Sequence, residues 1–254
     1  MFENLLEKYK PLLRSLVQQG GRPLFVGGCV RDSLLQLPLK DIDIEVYGIT
    51  AQQVYAALSK FGEVIMVGKS FGVFKVKGFP IDISLPRQDT KTAPGHSGFM
   101  VNFNPELSFV EAFKRRDLTI NSIGFDIQTK EFIDPYGGIQ DLKDKILRAT
   151  HKDSFQEDPL RILRVAQFAA RFEMHVDPEL IQLSRAISLQ DLSIERVYQE
   201  LSKLLLLGKK PSLGFQYLKE TGHLTIFPEL ASTFLFKKPE NRAAWEFFLV
   251  LLDE

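Results

Sequence analysis

The 254-residue chain is 44% hydrophobic, 25% charged and 11% aromatic, with 32 Lys plus Arg against 32 Asp plus Glu. This ordinary globular usage excludes a disordered chain, a collagen-like repeat and a pure coiled coil, and no apolar run reaches the ~18–20 residues of a membrane span. Zero net charge argues against gripping nucleic acid by bulk positive charge, so an RNA partner needs a local basic face or parts beyond this sequence, while the single Cys29 permits no internal disulfide and points to the cytoplasm.

The start, Met1 to about Gln19, reads as one amphipathic helix with Leu5, Leu6, Leu12, Leu13 and Leu16 on one side, not as a secretory leader. Gly20-Gly21-Arg22-Pro23 breaks it. Leu24–Val26 is a short apolar strand that runs into Gly27-Gly28 and a helix to about Gln36. From Asp41 to Val46 carboxylates (Asp41, Asp43, Glu45) alternate with aliphatics (Ile42, Ile44, Val46), the period-two signature of a strand with one buried face. Thr50 is placed to cap a helix to about Lys60. Phe71–Val76 and Phe79–Leu85 read as strands joined at Lys77-Gly78. Residues 86–106 are rich in Pro, Gly, Thr and Asn with little periodicity, a long loop of the functional or mobile kind. Leu118–Phe125 reads as helical, Phe132-Ile133 as a short strand and Asp134–Gly138 as a turn. From Asp153 onward the periodicity is helical, punctuated at Gly208–Pro211 and Pro228, and the Leu204–Leu207 run reads as buried core. The fold class is α+β: a mixed α/β part to about residue 148, then an all-α part.

Two constellations carry chemistry. A strand running through Gly27-Gly28 into a helix leaves backbone N–H groups for phosphate oxygens, and Arg31 in the first turn adds a charged fork. Asp41 and Asp43 share a strand face ~7 Å apart along the backbone, spacing that suits a hard cation such as Mg²⁺. Asp82, on a strand expected alongside, is a candidate third ligand. Taken alone, Asp-x-Asp is more often solvated surface than metal site. The second constellation is Glu157-Asp158-Pro159-Leu160-Arg161. Pro159 suits a first helical turn, and Asp158 and Arg161 stand three apart on one helix face. A carboxylate accepting from an exocyclic amine and a guanidinium donating to a ring nitrogen suit cytosine and adenine, and oppose uracil and guanine. The bland reading of the same residues is a helix start with acids favoured by the dipole. His96 in the loop, and His151, His175 and His223 elsewhere, form no ligand spacing.

Leu24–Asp32 with Lys40-Asp41-Ile42-Asp43, Arg115–Asn121 (R-R-D-L-T-I-N), Glu157–Arg164 (E-D-P-L-R-I-L-R) and Ser193–Leu201 resemble, in order, four motifs of the class II tRNA nucleotidyltransferase (CCA-adding enzyme) and poly(A) polymerase family. The resemblance implies a nucleotidyltransferase head over residues 1–148, then over 149–254 a helical neck with the base-reading helix and the start of a body. It implies Asp41 and Asp43 on two Mg²⁺ ions. Gly27, Gly28, Arg31 and Asp32 belong to the nucleotide-binding motif, the first three meeting the triphosphate. Asp117 accepts from the ribose hydroxyl, with Arg116 and Asn121 in support. Asp158 and Arg161 read the base, Glu157 orients the arginine, and Arg164 closes the motif. The reaction implied is transfer of CMP and AMP from CTP and ATP to a tRNA 3′ end with release of pyrophosphate. CC-adding, A-adding and poly(A)-adding relatives carry near-identical head motifs, and a non-catalytic RNA-binding module or a small-molecule nucleotidyltransferase are the remaining alternatives. Basic residues such as Lys203, Lys209, Lys210, Lys237 and Lys238 are candidates to track RNA, though most such charge is solvated helix face. The last residues, Ala244–Glu254, read as an apolar helix with no evident cap, which gives the expectation of a complete head and neck, a partial body and weak tRNA affinity.

Overall fold

The computed structural model describes residues 2–39, 41–67, 72–91, 99–227 and 253. The chain divides into two compact units, Met1–Leu142 and Lys143–Glu254, each with its own buried residues. No helix among the described residues is long and apolar enough to cross a membrane.

The expected first helix is two, α1 (Glu3–Lys8) and α2 (Lys10–Gln18). Pro11 sits in the first turn of α2, where its missing N–H costs nothing but where an uninterrupted helix would have needed the bond. Tyr9 between them is buried, as are Leu12, Leu13 and Leu16. Strand β1 (Arg22–Val26) leads through Gly27 to α3 (Gly28–Leu34), and β2 (Ile42–Tyr47) leads to α4 (Ala51–Leu58). Thr50 caps α4 as expected: Gln53 N–H donates to its hydroxyl, and Gln53 reaches back to the Thr50 backbone. Then follow β3 (Val64–Val67), β4 (Val73–Val76) and β5 (Ile81–Ser84).

The stretch 86–106 is not irregular. It holds β6 (Arg87–Lys91) and β7 (Phe99–Phe103), an antiparallel pair with Arg87 opposite Phe103. The polar sequence of β6 carries no apolar alternation, so periodicity alone does not reveal it. His96 and Gly95–Gly98 lie outside the described residues, as does Phe71.

Leu118–Phe125 is not a helix. After α5 (Phe109–Lys114) it makes one 3₁₀ turn at Thr119–Asn121 and then β8 (Gly124–Asp126). The free edge of β1 overrides local propensity: Leu24, Phe25 and Val26 pair with Asp126, Phe125 and Gly124. β9 (Phe132–Ile133) closes that side. The seven-stranded sheet runs β3-β4-β5-β2-β1-β8-β9, mixed because β2 is parallel to β5 and antiparallel to β1. Phe25, Ile44, Phe74 and Ile83 are fully buried at its centre.

Helix α6 (Gly138–Asp144) starts after the expected turn, with Gly138 N–H and Ile139 N–H donating to Asp134 at 2.7 and 2.9 Å. A Cβ at Gly138 would stand 2.1 Å from the Thr119 carbonyl oxygen, a backbone atom that cannot swing aside. Gly138→Ala is therefore expected to destabilise the chain by about 2–3 kcal/mol, read as a lowered urea midpoint.

The second unit is not purely helical. β10 (Ile146–Leu147) pairs in parallel with β11 (His175–Val176). Between and after them come α7 (Lys152–Gln156), α8 (Leu160–Phe172), α9 (Pro178–Arg185), α10 (Ile194–Leu207) and α11 (Pro211–Glu220). α8 is the central element, buried from Ile162 to Phe172 on most sides, and α10 and α11 pack on it. The leucine run at its expected core position is a correction: Leu204 is buried, but Leu205, Leu206 and Leu207 are exposed, Leu206 by 82%. Successive helical residues turn ~100° apart, so four in a row cannot share one face. Pro228, Lys237, Lys238 and the terminal Ala244–Leu252 stretch lie outside the described residues.

Candidate active site

In the first unit the site forms where β1, α3, β2 and the Arg115–Asn121 segment meet. Gly27 turns the chain from β1 into α3 with φ +71°, and a Cβ there would lie 2.6 Å from Arg116 Nη1. Only glycine allows both the left-handed backbone and that close guanidinium. Gly28 opens the seven-residue α3. Arg31 is buried, and its guanidinium donates to Asp32 at 2.8 Å and to Asn121 Oδ1 at 2.5 Å. Asn121 Nδ2 donates in turn to Asp117 Oδ1 at 2.9 Å, which also accepts from Leu118 N–H at 2.8 Å. Asp32, Arg31, Asn121 and Asp117 thus form one connected polar chain tying α3 to the 3₁₀ turn.

Asp43 is half-buried on β2, and Asp41 is exposed just before it. The parallel register of β2 and β5 places Asp43 directly opposite Asp82. Burial raises the Asp43 carboxyl above its usual range, the charges of Asp82, Asp41 and Glu45 push the same way, and Arg116 opposes them. Carboxylates that repel one another in this way form a donor set whose strain a hard cation relieves. Asp82 is engaged elsewhere, however: Lys75, opposite it on β4, lies 2.8 Å from its carboxylate. Among the described residues no three His, Cys, Asp or Glu side chains converge into a metal-binding group. The residues fit a cation held by Asp41 and Asp43 with the remaining positions open, which is how Mg²⁺ is commonly bound beside phosphates.

Glu45, the third acid of the alternation, has no role in the motifs and is fully buried. Tyr47 donates to it at 2.5 Å, and Arg115 and Arg116 stand 3.1 and 3.7 Å from its other oxygen. The third-position alternation was the available signal.

Cys29 lies beneath the turn, its thiol donating to the Val26 carbonyl at 3.3 Å. Burial pushes its pKa to about 11. The thiolate is the reactive form, so iodoacetamide at pH 8 is expected to leave the native chain unlabelled while labelling it fully in urea.

In the second unit Asp158 Oδ1 accepts at 3.1 Å from the N–H of Leu160, the first residue of α8, which starts one residue after Pro159. Arg196, in the first turn of α10, donates to both Asp158 oxygens at 3.2 and 2.9 Å. Arg161 donates to the Ser154 carbonyl, Glu157 ends α7, and Arg164 lies over the Phe168 ring. Only the fold brings Arg196, 38 positions away in sequence, to Asp158.

Comparison with known proteins gives two family matches: "Poly A polymerase head domain" over residues 24–148, and "Probable RNA and SrmB- binding site of polymerase A" over 174–234. A "Multifunctional CCA protein" of Mannheimia succiniciproducens is 44% identical over 222 residues, which is 84% of this chain and 51% of that protein. A CCA-adding enzyme of Bacillus stearothermophilus in complex with CTP is 30% identical, with a TM-score of 0.70, covering 85% of this chain and 52% of that one. A Thermotoga maritima CCA-adding enzyme complexed with tRNA is 25% identical, with a TM-score of 0.71, covering 93% and 54%. The chain spans about half the length of the curated relatives it matches.

Proposed function

Because the chain belongs to the class II tRNA nucleotidyltransferase and poly(A) polymerase family, we propose that it acts as a CCA-adding tRNA nucleotidyltransferase, transferring CMP and AMP from CTP and ATP to a tRNA 3′ end and releasing pyrophosphate. The observation that carries this reading is the gathering of Gly27, the Asp43–Asp82 pair and the Arg115–Asn121 segment around one end of β1 and β2. Relatives that carry CCA-addition in their names, and neighbours bound to CTP and to tRNA, support it.

In this reading Asp41 and Asp43 hold Mg²⁺, which supplies charge neutralisation at the α-phosphate and activation of the attacking hydroxyl. Gly27 and Gly28 let the phosphates approach the backbone, with Arg116 beside them. The Arg31–Asn121 bond fixes the turn, so Arg31 acts chiefly by holding Asn121 and Asp117 in place. Asp117, oriented by Asn121 and the Leu118 N–H, accepts from a ribose hydroxyl. In the second unit Asp158 accepts an exocyclic amine and Arg161 donates to a ring nitrogen, which admits cytosine and adenine. Arg196 and the Ser154 carbonyl hold that pair in position before a base arrives.

The test is incubation with tRNAs that lack CCA, CA or A, each with one nucleoside triphosphate at a time and Mg²⁺. The expected ladder adds two C residues and then one A. A long A ladder would point instead to poly(A) addition, and no incorporation with any end would overturn the reading.

A further inference from the structure

Beside Asp43 a cavity of about 220 Å³ is lined by three carboxylates, Asp43, Glu45 and Asp82, and three guanidinium groups, Arg87, Arg115 and Arg116. We propose that Glu45 is a positioning residue of the triphosphate site: its buried carboxylate holds the Arg115 and Arg116 guanidinium groups at the wall of this cavity, where they bind and orient the phosphates of the incoming nucleotide. This rests on the nucleotidyl-transfer reading above.

Glu45 follows Asp41 and Asp43 on the same face of β2, so it points to the side where the site lies. It is wholly removed from solvent, and a carboxylate in that position is costly unless both oxygens are matched. They are. Oε1 accepts from the Tyr47 hydroxyl at 2.5 Å, and Oε2 faces Arg115 Nη2 at 3.1 Å and Arg116 Nη2 at 3.7 Å. Burial lowers the Arg116 pKa, and the Glu45 charge is the largest influence holding it up. Arg116 has further anchors, the Asn121 carbonyl at 3.3 Å and the face of Phe113 at 5.2 Å. Arg115 is the more exposed of the two. A purely structural need at this place is met better by an apolar side chain than by a buried ion group. An acid that fixes two arginines beside the catalytic carboxylates serves phosphate recognition, because a pre-set guanidinium loses less entropy on binding an anion.

The experiment compares the wild-type chain with Glu45→Gln, Glu45→Asp and Glu45→Gln combined with Arg115→Ala, in steady-state CMP incorporation on a tRNA lacking CCA. Glu45→Gln is expected to raise KM for CTP about tenfold while kcat stays within about threefold. Glu45→Asp keeps the charge and is expected to recover about half of that loss on a logarithmic scale. With Arg115 already alanine, the Gln change is expected to raise KM less than it does alone, because one of the two arginines it acts through is gone. An unchanged KM in Glu45→Gln, or a loss confined to kcat or thermal midpoint, overturns the proposal. If Glu45→Gln does not fold, Glu45→Asp decides: a raised KM supports the proposal, and a wild-type KM overturns it. If the wild type incorporates neither CMP nor AMP, the nucleotidyl-transfer reading falls by itself. Calorimetric CTP titration then decides Glu45: affinity about tenfold weaker in Glu45→Gln supports its role, and equal affinity or no binding to the wild type overturns it.

Discussion

Replacement of Asp41 and Asp43 together by alanine is expected to lower kcat for CMP and AMP incorporation by at least about 10³-fold. It is also expected to leave the thermal midpoint unchanged or slightly higher. The two halves of that expectation come from the same geometry. Asp43 is half-buried opposite Asp82 and near Asp41 and Glu45, and its carboxyl sits above the usual range. A carboxylate whose pKa is raised by folding costs stability at neutral pH and returns it as pH falls through the raised value. Removing that charge removes the cost. In the function proposed above, the cation that Asp41 and Asp43 would hold balances that charge. Mg²⁺ titrations followed by thermal unfolding provide the companion measurement. The wild-type midpoint rises with Mg²⁺ and CTP, and that of the double alanine variant does not. A double variant that still incorporates nucleotide would remove the metal from Asp41 and Asp43.

Asp158→Ala is expected to lower the preference for CTP over UTP by about 10–100-fold, the equivalent of ~1–3 kcal/mol for one unsatisfied buried group. The carboxylate is already ordered, by Leu160 N–H on one side and Arg196 on the other, so little freedom remains to be lost when an amine docks. Arg161→Ala is expected to act in the same direction, since cytosine N3 and adenine N1 then lose their donor. Arg196→Ala separates holding from reading. Asp158 keeps its chemistry and loses its brace, so total incorporation falls while the CTP-to-UTP ratio declines less than in Asp158→Ala. Product ladders with each nucleotide in competition measure all three ratios. A wild-type CTP-to-UTP ratio in Asp158→Ala would sink the base-reading role.

The parts of the molecule legible from sequence were those whose chemistry is local. Thr50 announced its helix because a capping box needs only four residues. Gly27-Gly28 and the Asp41–Val46 alternation declared a strand, a turn and a second strand, and four ordered motifs named the family. What escaped depends on partners far along the chain. Glu45 has no meaning without Arg115 and Arg116, which lie 70 and more positions later. Arg196 acquires its role only beside Asp158. β8 contradicts its own helical pattern because the edge of β1 demanded a neighbour, and Gly124 let the strand close against Phe113 and Leu24. The polar β6 has no apolar alternation, and its pairing with β7 is visible only in the fold. Leu205–Leu207 are exposed because four successive helical residues cannot share one face.

The distance along the chain between Glu45 and its arginines also sets a timetable. Strands β1 and β2 leave the ribosome within the first 47 residues, and their pairing is local. The counter-charges arrive only with residues 115 and 116, so a nascent chain of intermediate length cannot bury Glu45 in its ionised form at native cost. The native surroundings of Glu45 are therefore complete only once the chain has reached residue 116. The strand that pairs next with β1, β8, begins only eight residues after Arg116. A chain that stops short of Arg116 is expected to be cleaved faster in limited proteolysis than the whole first unit, because Glu45 there lacks its counter-charges.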